Sequence, residues 1–380
     1  MIQVVERVII LVGLSVFLVA MGCGMLVPSN GHRPGEGKAT GEEFVDPWAG
    51  IDPTTRSSTT PTTLAAGLPY RAIGIQLQRT DFTQQYKQMI DEIESVGADT
   101  VKFVVDSRME NGTSSRIFLD MRSTPSAEML GELIRYAKDK KLRVIVMPIV
   151  LLDKPRGDEW RGTIKPDNWD DWWESYRDML FHFLWISQSN GVDVFVIGSE
   201  LVSTETETHV AQWHKTIDLV RREFKGKITY SANWDHYKPV KFWDRLDFVG
   251  MNSYWKLGKD KNASLEEITA NWRQIQSDVF QFVRQQRKPL MILEVGWCSL
   301  DNAAYEPWDY TRTDLPINLN LQARLYEGFF QSWHGQPYVA GYSIWEWTVG
   351  DGGASDKSYT PENKPAQAIL SRWLKRGWTE

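Results

Sequence analysis

Two glutamates stand where strongly apolar segments end: Glu200 in VFVIGSEL and Glu294 in LMILEVGW. A lone carboxylate in such a place is costly to remove from water unless a partner compensates it. Two of them, far apart along the chain but meeting at one cavity, would supply a proton donor and a nucleophile. That is the equipment for cleaving a glycosidic bond. The structural alternative is that each Glu forms an ion pair with an arginine of the fold. Other polar residues fall at comparable positions: Asp106, Asp153, Asn233-Trp234, Asn252-Ser253-Tyr254 and Trp345-Glu346-Trp347. Asp106 and Asp153 read as loop caps or subsite walls, and Glu346 as a bond to loop backbone or a contact with ligand. Rival chemistries find less support. The six His make no metal pattern, and His209 and His214 are five apart, where zinc ligands on one helix face are spaced at four. No G-x-S-x-G elbow is present for a serine nucleophile. GEGKATG, at Gly35 to Gly41, has the wrong spacing for a dinucleotide loop and no strand before it. No metal or cofactor is expected.

The elements that would position the two glutamates alternate along the chain. Strands are expected over Tyr70–Gln76, Thr100–Val105, Arg143–Val150, Val194–Gly198, Ile228–Ala232, Phe248–Asn252, Leu290–Val295 and Val339–Trp345. Helical periodicity occupies Gln84–Val96, Ser126–Lys140, Trp169–Asn190, Thr206–Phe224, Leu265–Gln286, Leu319–Trp333 and Pro365–Lys375, with only a short turn over Val240–Arg245. Eight apolar runs joined by crossovers mean buried parallel strands, and eight units predict a single α/β (β/α)8 TIM barrel over 68–380. An open doubly wound sheet would carry a Gly-rich turn after its first strand, and none is there. In such a barrel the chemistry gathers at the C-terminal strand ends, where Glu200 and Glu294 stand. Trp169, Trp172, Trp173 and Tyr176 recur at helical spacing and read as the inward face of an outer helix.

These residues carry a resemblance. Glu at the ends of the fourth and seventh strands, with Trp345 ending the eighth, resembles the clan A retaining glycoside hydrolases. IGSEL (Ile197 to Leu201), SANW (Ser231 to Trp234), LEVGWCS (Leu293 to Ser299) and WRGTIKP (Trp160 to Pro166) are most similar to glycoside hydrolase family 113, whose characterised members are β-1,4-mannanases. The resemblance implies that Glu200 is the general acid/base and Glu294 the nucleophile, with Tyr254 donating a hydrogen bond to Glu294. It implies sugar contacts from Asn233 and Trp345, and from Trp160, Arg161 and Trp234. Where many clan members have Asn before the acid/base, this chain has Ser199, so a contact to the sugar 2-hydroxyl is shortened or lost. The expected substrate is a β-1,4-linked polysaccharide or oligosaccharide, mannan first. A xylanase, glucanase or exo-glycosidase on the same frame remains open, as does a non-catalytic carbohydrate-binding surface lipoprotein.

The chain has 380 residues, with 49 acidic against 43 basic side chains, which gives no basic field for nucleic acid. A charged fraction of 24% and a hydrophobic fraction of 42% fit a globular protein with a large core. Two Cys exclude a disulfide framework. Eighteen Trp exceed core needs and suggest flat faces for sugar rings. Residues 1–22 read as a signal peptide: Arg7, then an apolar run from Val8 to Ala20, then Gly22-Cys23 in the manner of a bacterial lipobox. Lipid on Cys23 would anchor the protein to the cell envelope, the only membrane contact expected; a plain signal peptide or an uncleaved anchor is the alternative. Residues 23–67, rich in Pro, Gly, Thr and Ser, read as a flexible tether. A monomer is expected.

Overall fold

The computed structural model describes residues 67–350 and 352–379. The signal peptide, Cys23 and the tether lie outside these residues. Eight parallel strands close into one barrel in chain order. They are β1 (Tyr70–Leu77), β2 (Thr100–Met109), β3 (Arg143–Leu152), β4 (Val194–Ser199), β5 (Lys227–Ala232), β6 (Val249–Asn252), β7 (Leu290–Val295) and β8 (Val339–Ile344). The intervening helices are α1 (Thr83–Ser95), α2 (Ala127–Asp139), α3 (Trp169–Ser189), α4 (Val210–Glu223), α5 (Leu265–Gln286), α6 (Leu319–Trp333) and α7 (Pro365–Leu374). Between β5 and β6 only a short turn, Trp243–Arg245, takes the place of a helix.

The strands are predominantly apolar because both faces are covered. One set of side chains, including Tyr70, Val104, Met147, Val196, Met291 and Leu293, fills the barrel interior. The alternate set, including Phe103, Val146, Ile197, Tyr230 and Ile292, packs against the helices. The Trp-rich start of α3 belongs to this outer layer, as the helical spacing predicts. Asn168 caps it by accepting from the amides of Asp170 and Asp171, a contribution of about 1 kcal/mol. Trp172, Trp173 and Tyr176 are then fully buried, and Trp173 and Tyr176 meet Trp213 of α4 edge-on. Tyr176 Oη donates to the carbonyl of Ile197 at 2.6 Å, so this aromatic block is the backing plate of β4.

Two departures from simple alternation aim the glutamates. On β7, Met291 and Leu293 point inward, so strict alternation would send Glu294 out into the helix layer. The pairing with β6 slips instead: Met251 faces Ile292 but the next residue, Asn252, faces Glu294. One extra residue is thereby absorbed in β7, and a bulge of this kind re-aims the side chain that follows it. On β4 the register slips likewise, since Val196 and Ser199 face Thr229 and Ser231. Glu200 then takes a left-handed backbone, φ 53°, which a non-glycine residue adopts at a cost of roughly 1–3 kcal/mol when the surroundings impose it. β2 and β3 also run further than expected and stay paired out to Met109 and Leu152, forming a ribbon above the barrel rim.

Gly296, immediately beyond β7, is required by close approach. A Cβ there would lie 1.8 Å from the carbonyl oxygen of Trp345. Gly296→Ala is expected to lower unfolding stability by about 1–3 kcal/mol through overpacking and to displace Trp345; chemical denaturation and intrinsic fluorescence read both effects.

Candidate active site

Both glutamates open into the same end of the barrel, and the tip of β6 stands between them. Asn252 Nδ2 donates to Glu200 Oε1 at 2.9 Å. Two residues on, Tyr254 Oη donates to Glu294 Oε2 at 2.9 Å. The backbone holds the same arrangement, with the Ser253 amide bonded to the Glu294 carbonyl at 2.7 Å and the Glu200 amide to the Ser231 carbonyl at 2.8 Å. Ser231 Oγ in turn donates to Asn252 Oδ1 at 2.7 Å, which orients the amide toward Glu200. Both glutamates are only 6% exposed.

Glu200 carries an ion pair. Arg161 Nη2 lies 2.6 Å from its Oε2. A guanidinium partner is what the structural alternative expects, but Arg161 does not belong to the barrel wall. It sits in the loop after β3, on a short turn spanning Arg161–Thr163, and that loop is laced to the one after β2. Lys165 and Asp167 amides bond the carbonyls of Gly112 and Thr113, and Glu159 Oε2 accepts from the Gly112 amide. The pair therefore links Glu200 to a loop over the mouth. Trp160, on the same loop, is 36% exposed.

Glu294 faces a second cation. Lys102, on the inner face of β2, is fully buried beneath the site. Its Nζ donates to the Leu293 carbonyl at 2.5 Å, lies 3.9 Å from Glu294 Oε1 and sits 5.1 Å from the centre of the Trp345 ring. Burial pushes the ammonium down to about 8, against the pull of Glu294, Glu346 and Glu200. The Glu294 carboxyl is raised above its ordinary value, chiefly by burial and further by the charge on Glu200; Lys102, Arg161 and the Tyr254 hydroxyl oppose the rise. Removing one of these opponents is expected to raise it more. Lys102→Met should move the acidic limb of the kcat/KM profile to higher pH, because a carboxylate that must be ionised is then protonated sooner as pH falls. A pH–rate series on the variant checks this.

The remaining residues divide. Trp345 is half-buried between Lys102 and the mouth, with its amide held by the Val295 carbonyl at 2.8 Å. Ser199 Oγ is buried and has no hydrogen-bond partner among the described residues. Asn233 is half-buried, and its Oδ1 accepts from the Trp234 amide. Trp234 lies parallel to Trp308, ring centres 6.0 Å apart, and edge-on to Trp255. It also packs against the cluster of Tyr254, Cys298, Leu300 and Tyr359 beside Glu294, which makes Cys298 a small buried hydrophobe of the mouth. Glu346 is half-buried, and burial, with the charge on Glu294 next, pushes it up to about 8. Asp106 lies within β2 and accepts from Gln76 and Gln78 side chains at 2.9 and 2.5 Å. Asp153 is exposed at the end of the β2–β3 ribbon, with its amide on the Met109 carbonyl. His236 pairs with Asp235 at the surface.

Lys102 and Trp308 were not among the sequence candidates. Lys102 was findable, as a single cation within the apolar run TVKFVV. Trp308 sits in a long loop and gives no periodic signal. Asn252 was noted at a strand end without a role.

A closed eight-stranded barrel with paired glutamates at the ends of β4 and β7 and an aromatic after β8 defines a clan A glycoside hydrolase. Residues 72–364 match the family model for Glycoside Hydrolase Family 113, and the chain belongs to that family. Among solved structures it is similar to a family 113 β-1,4-mannanase solved as a complex, at 23% identity, 81% of this chain, 98% of that chain and a TM-score of 0.72. It is also similar to the family 113 β-mannanase AaManA from Alicyclobacillus acidocaldarius in complex with ManMIm, at 25% identity, 81% and 96% coverage and a TM-score of 0.71. A β-glucuronidase from Faecalibacterium prausnitzii shares the fold more distantly, at 14% identity, 80% and 49% coverage and a TM-score of 0.55. No curated protein sequence matches the chain significantly.

Proposed function

We propose that this glycoside hydrolase cleaves β-1,4-linked mannan with retention of configuration, through Glu200 as general acid/base and Glu294 as nucleophile. The observation that carries the reading is the convergence of the two carboxyls on the tip of β6, one on Asn252 and the other on Tyr254. The preference for mannan is supported by the family and by the β-mannanases it resembles.

The first step needs a proton on Glu200 and a negative charge on Glu294. Lys102, Arg161 and Tyr254 are the groups that favour the charge on Glu294 against burial. Glu294 attacks the anomeric carbon while Glu200 passes its proton to the leaving oxygen, which leaves a covalent glycosyl-enzyme. Glu200, now a base, takes a proton from water as that water attacks the same carbon from the opposite side, and Glu294 leaves. Trp345 would floor the reacting sugar, with Asn233, Trp234 and Trp160 as its other contacts, while the Ser199 hydroxyl is too buried to join them. Arg161 is assigned to Glu200, where it competes with any direct contact to sugar.

Hydrolysis of β-mannan, xylan and β-glucan, with separation of the products, tests the substrate. Release of manno-oligosaccharides at a rate well above that on the other two supports the reading; a preference for xylan or β-glucan overturns it.

A further inference from the structure

We propose that Glu205, a buried carboxyl outside the substrate cleft, is a positioning residue that holds the backbone of Glu200 through Tyr230. The proposal rests on the reading of Glu200 as the acid/base.

Glu200 leaves β4 in a left-handed conformation, and something must hold the chain there. The residue that follows, Leu201, supplies the grip. Its amide donates to Tyr230 Oη at 2.8 Å, and Tyr230 Oη donates in turn to Glu205 Oε1 at 2.6 Å. The loop closes on itself beside this relay: Thr204 Oγ1 donates to the Leu201 carbonyl at 2.7 Å, and Trp213 Nε1 to the Thr204 carbonyl at 3.0 Å. Tyr230 is fully buried and walled by Trp213 and Phe242, so its hydroxyl is shielded from bulk solvent. A tyrosine hydroxyl has one proton to give. With an amide donating to it, that proton must find an acceptor, and Glu205 is the acceptor present.

Glu205 is 2% exposed, and its second oxygen has no hydrogen-bond partner among the described residues. Leaving an ionised oxygen buried and unpaired is unfavourable, and burial pushes this carboxyl up to about 7, with Tyr230, His236, Glu200 and Asp235 as the titratable groups facing it. A neutral carboxyl still accepts through its carbonyl oxygen. Gln therefore reproduces the contact and Leu does not.

Three variants and two readouts test the assignment. Tyr230→Phe and Glu205→Leu are expected to lower kcat on a β-manno-oligosaccharide by about 10–100-fold with KM within about twofold, the signature of a displaced acid/base. Glu205→Gln is expected to retain most of the wild-type kcat. Independently of turnover, amide hydrogen exchange in the segment containing Leu201 should accelerate at least about tenfold in Tyr230→Phe and stay near wild type in Glu205→Gln. Wild-type kcat and unchanged exchange in Tyr230→Phe would overturn the proposal, as would a Glu205→Gln variant as impaired as Glu205→Leu. If wild-type protein turns over no β-glycan while exchange responds as expected, the positioning contact stands and the catalytic reading of Glu200 falls. Should Glu205→Leu not fold, Tyr230→Phe and Glu205→Gln decide the matter.

Discussion

Glu294→Gln is expected to lower turnover of a β-linked manno-oligosaccharide by about 10⁴–10⁶-fold, a loss of the size seen when a covalent nucleophile is removed. The amide has nearly the shape of the carboxylate and still accepts a hydrogen bond from Tyr254, so the cleft and its affinity for sugar should persist. Its oxygen cannot form the ester that divides the reaction into two steps. A binding measurement by calorimetry beside a turnover assay separates the two effects. Retained binding with lost turnover fits the account; retained turnover does not.

Glu200→Gln is expected to behave differently according to leaving group. On mannan the variant loses both acid and base assistance, each worth about 10²–10⁴-fold. On an aryl glycoside with an acidic phenol the leaving oxygen needs no proton, so the first step survives and the second becomes slow. A burst of phenol followed by a low steady state is the expected trace. Unfolding should be followed alongside, because the substitution leaves Arg161 without its counter-charge. Breaking a buried ion pair costs about 3–5 kcal/mol, and the cost here is smaller because Arg161 keeps 20% of its side chain exposed.

The strand and helix order of the barrel was legible because apolar runs and amphipathic stretches alternate, and each observed element falls close to its expected place. β2 outran expectation for a physical reason, and β3 stays paired alongside it. A polar residue looks like a strand end, yet Asp106 stays in the ladder because Gln76 and Gln78 satisfy it. The glutamates were legible as carboxylates at apolar strand ends, but their orientation was not. Alternation alone sends Glu294 outward, and only the bulge in β7 turns it into the cavity. The partner of Glu200 was out of reach for the same kind of reason. Arg161 reaches it from a loop whose path depends on hydrogen bonds to the loop after β2 rather than on any periodic pattern. Lys102 shows the converse, since its inward parity and its isolation among apolar neighbours were both present in TVKFVV.

The roles of the two carboxyls are tested most directly by chemical rescue. Glu294→Ala and Glu200→Ala are each supplied with azide and an activated β-mannoside, and the anomeric configuration of the glycosyl azide is read by NMR. The account predicts the α-azide from Glu294→Ala, where azide takes the place of the nucleophile. It predicts the β-azide from Glu200→Ala, where azide attacks the covalent intermediate. The reverse pairing would exchange the two roles, and no azide adduct from either variant would contradict the retaining pair itself.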